Sequence, residues 1–127
     1  MRIIIVDDDP LFTNLSAAVL DRAGFDVQVA RDGVEGLERI DAENFDLAIV
    51  DLHMPRVDGL RLIALLRGSL RHRRLAVLVV SGRTDADVFR EAMQIGADAI
   101  EAKPLNWDRL PDRVRAIVEA KRAAQAA

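Results

Sequence analysis

Several carboxylates, one hydroxyl and one lysine occupy positions from which they could act on a phosphoryl group. Each of these residues follows a short apolar run of the chain. They are Asp7, Asp8, Asp9, Asp51, Ser81 and Lys103. Oxygen ligands without thiolate or imidazole favour a hard cation such as Mg²⁺. A cation and a lysine can neutralise a phosphoryl group while a carboxylate attacks it in line.

The elements that would position these residues alternate along the chain. Short runs rich in β-branched residues are typical of strands buried on both faces of a parallel sheet, and they lie at 3–6, 27–30, 47–50, 75–80 and 99–100. Between and after them lie five amphipathic segments. We expect the first, fourth and fifth to begin at Pro10, Thr84 and Asn106, and the second and third to carry apolar residues from Val34 and Leu60 onward. The first and fourth should end at Gly24 and Gly96. In the first, the apolar face is predicted to consist of Leu11, Leu15, Ala18 and Val19. The pattern predicts an α/β domain with five strands and five helices.

Ligands of open parallel sheets bind beyond the carboxyl ends of the strands. Taken singly, each residue has a simpler interpretation: Asp9 before Pro10 is a helix N-cap, Asp51 and Ser81 are turn residues, and Lys103 is a solvated charge. Their coincidence at one edge of the sheet favours a shared crevice instead. Carboxylates crowded there repel one another, and a divalent cation would compensate them.

Composition sets the outer limits. The chain has 127 residues, no cysteine and a net charge of −3. It therefore fits one domain, lacks a thiolate site, and has no excess of basic residues for coating nucleic acid. No apolar run approaches a membrane span, and no signal peptide is evident, so we expect a cytoplasmic domain over 1–122. Residues 123–127 are then a helical tail or the start of a linker.

Four motifs together resemble the receiver domain of bacterial two-component response regulators. They are Ile-Val-Asp7-Asp8-Asp9, Val-Asp51-Leu-His-Met-Pro55-Arg-Val-Asp58-Gly59, Val-Ser81-Gly and Ala-Lys103-Pro104-Leu. The resemblance covers nearly the whole chain. It implies a flavodoxin-like or CheY-like doubly wound sheet with strand order 2-1-3-4-5.

The resemblance also implies roles. Asp51 would accept a phosphoryl group from a sensor histidine kinase or a histidine phosphotransfer protein. Mg²⁺ would be bound by Asp8, Asp51 and the backbone carbonyl of His53, with Asp7 acting through metal-bound water. Lys103 and Ser81 would contact the phosphoryl group. A cis peptide bond at Pro104 would orient Lys103, while Pro55 and Gly59 would shape the loop after Asp51, Gly59 through a backbone angle that other residues resist.

The switch and output residues are less regular. Ile100 stands where receivers usually carry an aromatic residue or histidine, so we expect either a muted conformational change or coupling through another route, such as the loop after Ser81. The imidazole of His53 and the side chain of Arg83 either tune how water reaches the phosphoryl group or are simply exposed. Trp107, the only tryptophan, is either partly buried against its own helix or an exposed anchor for a partner, and we favour the second.

A basic cluster, Arg67, Arg71, His72, Arg73 and Arg74, lies between the third helix and the fourth strand. It is either a solvated loop or a surface for an acidic partner. Output would reach a downstream protein or a fused effector domain, and the resemblance is compatible with a homodimer through the fourth and fifth helices. We expect no direct contact with nucleic acid or membrane.

Two other functions compete with this interpretation. A phosphohydrolase with an aspartyl-phosphate intermediate would use the Asp7-Asp8-Asp9 segment, but such enzymes normally need a longer core or a cap. A pseudo-receiver that only binds proteins would not need the full set of site residues. We therefore expect a signalling module that catalyses only its own phosphotransfer and slow dephosphorylation.

Overall fold

A computed structural model describes residues 1–54, 56–82 and 86–126 of the chain. Within them the strands and helices alternate, as the sequence predicted. The elements are β1 (Arg2–Val6), α1 (Pro10–Arg22), β2 (Asp26–Ala30), α2 (Gly33–Ala42), β3 (Leu47–Asp51), α3 (Gly59–Arg67), β4 (Ala76–Ser81), α4 (Ala86–Ile95), β5 (Ala99–Ala102) and α5 (Leu110–Ala126).

The strands form one parallel sheet in the order β2-β1-β3-β4-β5. This confirms the predicted fold class. The central strands β1, β3 and β4 are almost wholly buried because helices cover both faces of the sheet.

Successive residues of each strand point to opposite faces, so each strand contributes to two cores. In β1, Ile3 and Ile5 pack with α1 and α5, whereas Ile4 and Val6 pack with α2, α3 and α4. An uninterrupted apolar strand is therefore required, which explains the short β-branched runs. None of the helices in the described ranges combines the length and hydrophobicity needed to cross a membrane.

The predicted face of α1 is wrong for three of its four residues. Leu11, Leu15 and Ala18 are exposed, whereas Val19 is half-buried against the core. The buried residues are Phe12, Thr13, Ser16 and Leu20. Polar residues can occupy the buried face because their hydroxyls bond to the helix itself. The Ser16 hydroxyl donates to the carbonyl oxygen of Phe12 at 2.6 Å.

The predicted start of the last helix is also wrong. α5 begins at Leu110 rather than Asn106, and Trp107 lies in the preceding turn. Pro111 accounts for the difference, because proline fits the first turn of a helix but lacks the N–H that later turns require. α5 continues to Ala126, and the boundary between residues 122 and 123 stays a prediction. The predicted N-cap Thr84 lies outside the described residues.

Arg67 is not part of a solvated cluster. As the last residue of α3 it donates to the carbonyl oxygens of Gly96 and Leu75 and forms a 3.0 Å ion pair with Asp98. Its side chain is only 16% exposed. His72 contacts the Asp41 carboxylate at 2.6 Å, which ties the loop before β4 to α2.

Candidate phosphoacceptor and metal site

The predicted site residues meet at the carboxyl edge of the sheet. Asp7 directly follows β1, Asp51 and Ser81 are the last residues of β3 and β4, and Lys103 directly follows β5. Because β1, β3, β4 and β5 are neighbours in that order, their ends bring these four residues into one crevice.

Three carboxylates crowd this crevice. Asp7, Asp8 and Asp51 each offer an oxygen, and these oxygens lie within 4.8 Å of one another. Asp7 and Asp51 are buried, whereas Asp8 is exposed. Separate from them, Asp9 caps α1 by accepting the N–H of Leu11 at 3.0 Å, the structural role predicted for it.

Lys103 is held between two of the carboxylates, but unequally. Its Nζ lies 2.8 Å from Oδ2 of Asp7 and 4.0 Å from Oδ2 of Asp51. The backbone N–H of Asp9 donates to the other oxygen of Asp7 at 2.9 Å. Each Asp7 oxygen therefore has a donor within the protein, which leaves Asp8 and Asp51 better able to contact a ligand.

The backbone around Lys103 joins the ends of two strands. Its N–H donates to the carbonyl oxygen of Ser81 at 2.8 Å, and the Lys103–Pro104 peptide bond is cis, as the resemblance implied. Ser81 itself is fully buried. The lysine and the hydroxyl-bearing residue are thus tied to each other through the main chain.

Burial and the nearby Asp7 carboxylate raise the pKa of Asp51 from 3.8 to about 6. The positive charge of Lys103 and the N–H of His53, 3.4 Å from Oδ1, oppose that rise. The carboxylate of Asp51 is therefore mostly ionised at neutral pH, but at an energetic cost that a bound cation would reduce.

The donor set fits a hard divalent cation. Among the residues that the structure describes, three carboxylates face a single lysine, and the grouped side-chain donors are all oxygens. The His53 side chain is exposed, and His53 lines a cleft of about 430 Å³ together with Asp8 and Asp58. The predicted contribution of the His53 carbonyl remains a prediction.

The loop after Asp51 is fixed by contacts that the sequence did not predict. A Cβ at Gly59 would lie 2.3 Å from the carbonyl oxygen of Asp51, so glycine is required there for space. The predicted unusual backbone angle at Gly59 is wrong: in this loop the left-handed residue is Arg56, with φ 65°. The Arg56 guanidinium pairs with Asp32, the N-cap of α2. Pro55 lies outside the described residues.

The predicted output residues have different surroundings. Ile100 is half-buried and packs with the core beneath α2, α3 and α4. Trp107 is half-buried and packs on Phe12 of α1, with ring centroids 5.7 Å apart, so the favoured view of it as an exposed anchor is wrong. Phe12 was missed because the predicted face of α1 excluded it. Arg83 lies outside the described residues.

Comparison with known proteins decides the family. The model of the response regulator receiver domain matches residues 3–115. The chain belongs to this family. Among curated relatives of this receiver domain, the DNA-binding dual master transcriptional regulator RpaA of Synechocystis is 35% identical over 92% of the chain and 48% of its own length. The response regulator MprA of Mycobacterium tuberculosis is 33% identical over 100% of the chain and 54% of its own length.

The chain spans about half the length of these relatives. Solved structures agree with the fold. A CheY-like receiver domain protein from Methanospirillum hungatei superposes with a TM-score of 0.89 at 27% identity, over 97% of each chain. A response regulator structure from Chloroflexus aurantiacus gives 0.88 at 30% identity, over 93% of this chain and 97% of its own. The receiver domain is thus similar to its relatives along nearly its full length.

Proposed function

We propose that Asp51 is the phosphoacceptor of this receiver domain and that Mg²⁺ is bound by Asp8, Asp51 and the backbone carbonyl of His53. The convergence of Asp7, Asp8 and Asp51, with oxygens within 4.8 Å, is the observation that carries the proposal. A bound Mg²⁺ supplies positive charge to the phosphoryl oxygens and to the crowded carboxylates.

The transfer is a displacement at phosphorus. A carboxylate oxygen of Asp51 forms the new O–P bond, and the P–N bond of a phosphohistidine breaks with its electron pair remaining on the imidazole nitrogen. Ionisation of Asp51 is a prerequisite, because a protonated carboxyl is a poor nucleophile. Its pKa of about 6 leaves mostly carboxylate at neutral pH.

Other residues of the crevice stabilise the product. The Nζ atom of Lys103 lies 2.8 Å from Asp7 and 4.0 Å from Asp51. Its ammonium can therefore leave the Asp7 carboxylate and contact a phosphoryl oxygen on Asp51. The Ser81 hydroxyl would contact the phosphoryl group, and Asp7 would hold Lys103 and help to bind Mg²⁺ through water. The protein then needs no further catalytic group, and it catalyses only its own phosphotransfer and slow dephosphorylation.

We infer the donor and the target of the phosphoryl group from the family. The donor is a sensor histidine kinase or a histidine phosphotransfer protein, and phosphorylation switches contacts with a downstream protein or a fused effector domain. Relatives about twice as long bear names such as DNA-binding regulator and transcriptional activator protein. We infer that any nucleic-acid contact belongs to such an effector, and that this domain acts in the cytoplasm without binding membrane.

Incubation with Mg²⁺ and acetyl phosphate tests the proposal. Intact-protein mass spectrometry should show one added phosphoryl group on the wild type and none on Asp51→Asn. Asp112→Asn is the matched control, since that carboxylate is 88% exposed at the start of α5, and it should be phosphorylated like the wild type.

The same experiment separates the competing functions. A wild type that acquires no phosphoryl group under these conditions, yet folds and binds Mg²⁺, would indicate a pseudo-receiver. Phosphate release that continues in Asp51→Asn would instead indicate a hydrolase whose nucleophile is in the Asp7–Asp9 segment.

A further inference from the structure

An aromatic pair lies directly beside the ion pair of the site. The Nζ atom of Lys103 is 4.2 Å from the centroid of the Phe12 ring, well within the range of a cation–π interaction. The ring of Phe12 packs on Trp107 with a centroid separation of 5.7 Å and an interplanar angle of 46°. Contacts therefore run without a break from Asp51 and Asp7 through Lys103 and Phe12 to Trp107.

Trp107, the last residue in this chain of contacts, reaches the surface. Phe12 is buried, whereas Trp107 is half-buried and lines a groove of about 460 Å³ between α1 and the start of α5. Leu15, Val19 and Pro111 line the same groove. A change in the position of the Trp107 indole would alter the shape of this groove.

Lys103 is the residue whose side chain phosphorylation would displace. Its ammonium now contacts Asp7 at 2.8 Å and the Phe12 ring, while Asp51 is 4.0 Å away. A phosphoryl group on Asp51 carries close to two negative charges, where the carboxylate carried one. The ammonium would then move toward the phosphoryl oxygens, and its cation–π interaction with the Phe12 ring would weaken.

We propose that Phe12 and Trp107 transmit the displacement of Lys103 to the α1–α5 groove; this inference rests on the proposed phosphoacceptor role of Asp51. Ile100 is on the other face of the sheet, packed with the core beneath α2, α3 and α4. Phe12 and Trp107 belong to the core beneath α1 and α5. The aromatic pair thus provides a route that does not need an aromatic residue at position 100.

The sequence supplies a direct probe. Trp107 is the only tryptophan and the chain has no tyrosine, so indole emission reports on this position alone. We would measure that emission with Mg²⁺ alone and then with Mg²⁺ and beryllofluoride, while fluorine NMR establishes independently that the beryllofluoride adduct has formed. The wild type should change its emission only when the adduct forms.

Two variants at position 12 test the route. Phe12→Leu removes the ring, and site-specific pentafluorophenylalanine keeps its shape while reversing its charge distribution. Both should form the adduct and lose most of the emission change. Ile100→Val is the matched control on the opposite face and should retain the full change. The fluorinated variant keeps the test decisive if Phe12→Leu fails to fold.

A second measurement needs no phosphodonor. Lys103→Met should alter the Trp107 emission of the unmodified protein when Phe12 is present, and should alter it little when position 12 carries pentafluorophenylalanine. Equal changes in both backgrounds would overturn the route, as would an NMR-detected adduct that leaves the wild-type emission unchanged. Absence of the adduct in the wild type is a different result, which counts against the phosphoacceptor role itself and removes the basis of this inference.

Discussion

The charge on Asp51 should make the domain less stable than its neutral variant when Mg²⁺ is absent. Burial and Asp7 raise the pKa of this carboxyl from 3.8 to about 6, and its side chain is only 8% exposed. A pKa higher by about 2 corresponds to about 3 kcal/mol, at about 1.4 kcal/mol per unit. Asp51→Asn removes the ionisable group, so the variant should gain as much as about 3 kcal/mol in free energy of unfolding at neutral pH.

The stability difference between Asp51→Asn and the wild type should depend on pH, in a direction that the raised pKa of Asp51 determines. A carboxyl whose pKa is higher in the folded state binds more protons when folded, so the free energy of unfolding of the wild type falls as pH rises from about 4 to about 6. The advantage of Asp51→Asn should therefore be small near pH 4, grow across that window and stay constant above it. Added Mg²⁺ should stabilise the wild type and reduce the difference.

Urea denaturation in the presence of a chelator, at several pH values, measures these differences. Glu38→Gln is the control, because it also exchanges a carboxylate for an amide but at an exposed position on α2. Its difference from the wild type should vary much less across the same window. An Asp51→Asn advantage that does not vary with pH, or a variant less stable than the wild type at neutral pH, would refute the reasoning.

Three further substitutions test the surroundings of the site. Lys103→Met should destabilise the protein by about 3 kcal/mol, measured by urea denaturation at neutral pH, because buried Asp7 loses its 2.8 Å partner; an unchanged midpoint would contradict this. Gly59→Ala should weaken Mg²⁺ binding in calorimetry and lower the thermal midpoint, since the added Cβ would lie 2.3 Å from the backbone oxygen of Asp51. Gly68→Ala, at the other end of α3, is the control: its Cβ has room, so neither quantity should change. Arg67→Met should cost about 2–4 kcal/mol in the same denaturation assay, because the carbonyl oxygens of Gly96 and Leu75 lose this donor and Asp98 keeps Lys121 but loses its other cation. A cost below ~1 kcal/mol would show that Arg67 is merely a surface charge.

The sequence predicted β1, β3 and β4 because each contains an uninterrupted apolar run that ends at an aspartate or serine. The edge strands β2 and β5 contain Gln28 and Glu101, so their apolar runs are weaker. It predicted α5, with one turn too many at its start, for a related reason: the apolar residues Leu110, Val114, Ile117 and Val118 recur at helical spacing, and all are buried. The helix α1 was predicted, but most of its buried face was not, because hydrophobicity alone does not reveal that Ser16 can be buried by bonding to its own helix.

The residues able to react were therefore evident from residue type and position along the chain, together with the family resemblance. Their mutual arrangement was not, because Lys103 is separated from Asp7 by most of the sequence and its distances depend on how β1, β3, β4 and β5 pack. Only the tertiary structure placed the lysine nearer to Asp7 than to Asp51 and put Phe12 beneath it. Charge and polarity are local properties of a sequence, whereas burial and the pKa of Asp51 arise from neighbours that the fold brings together.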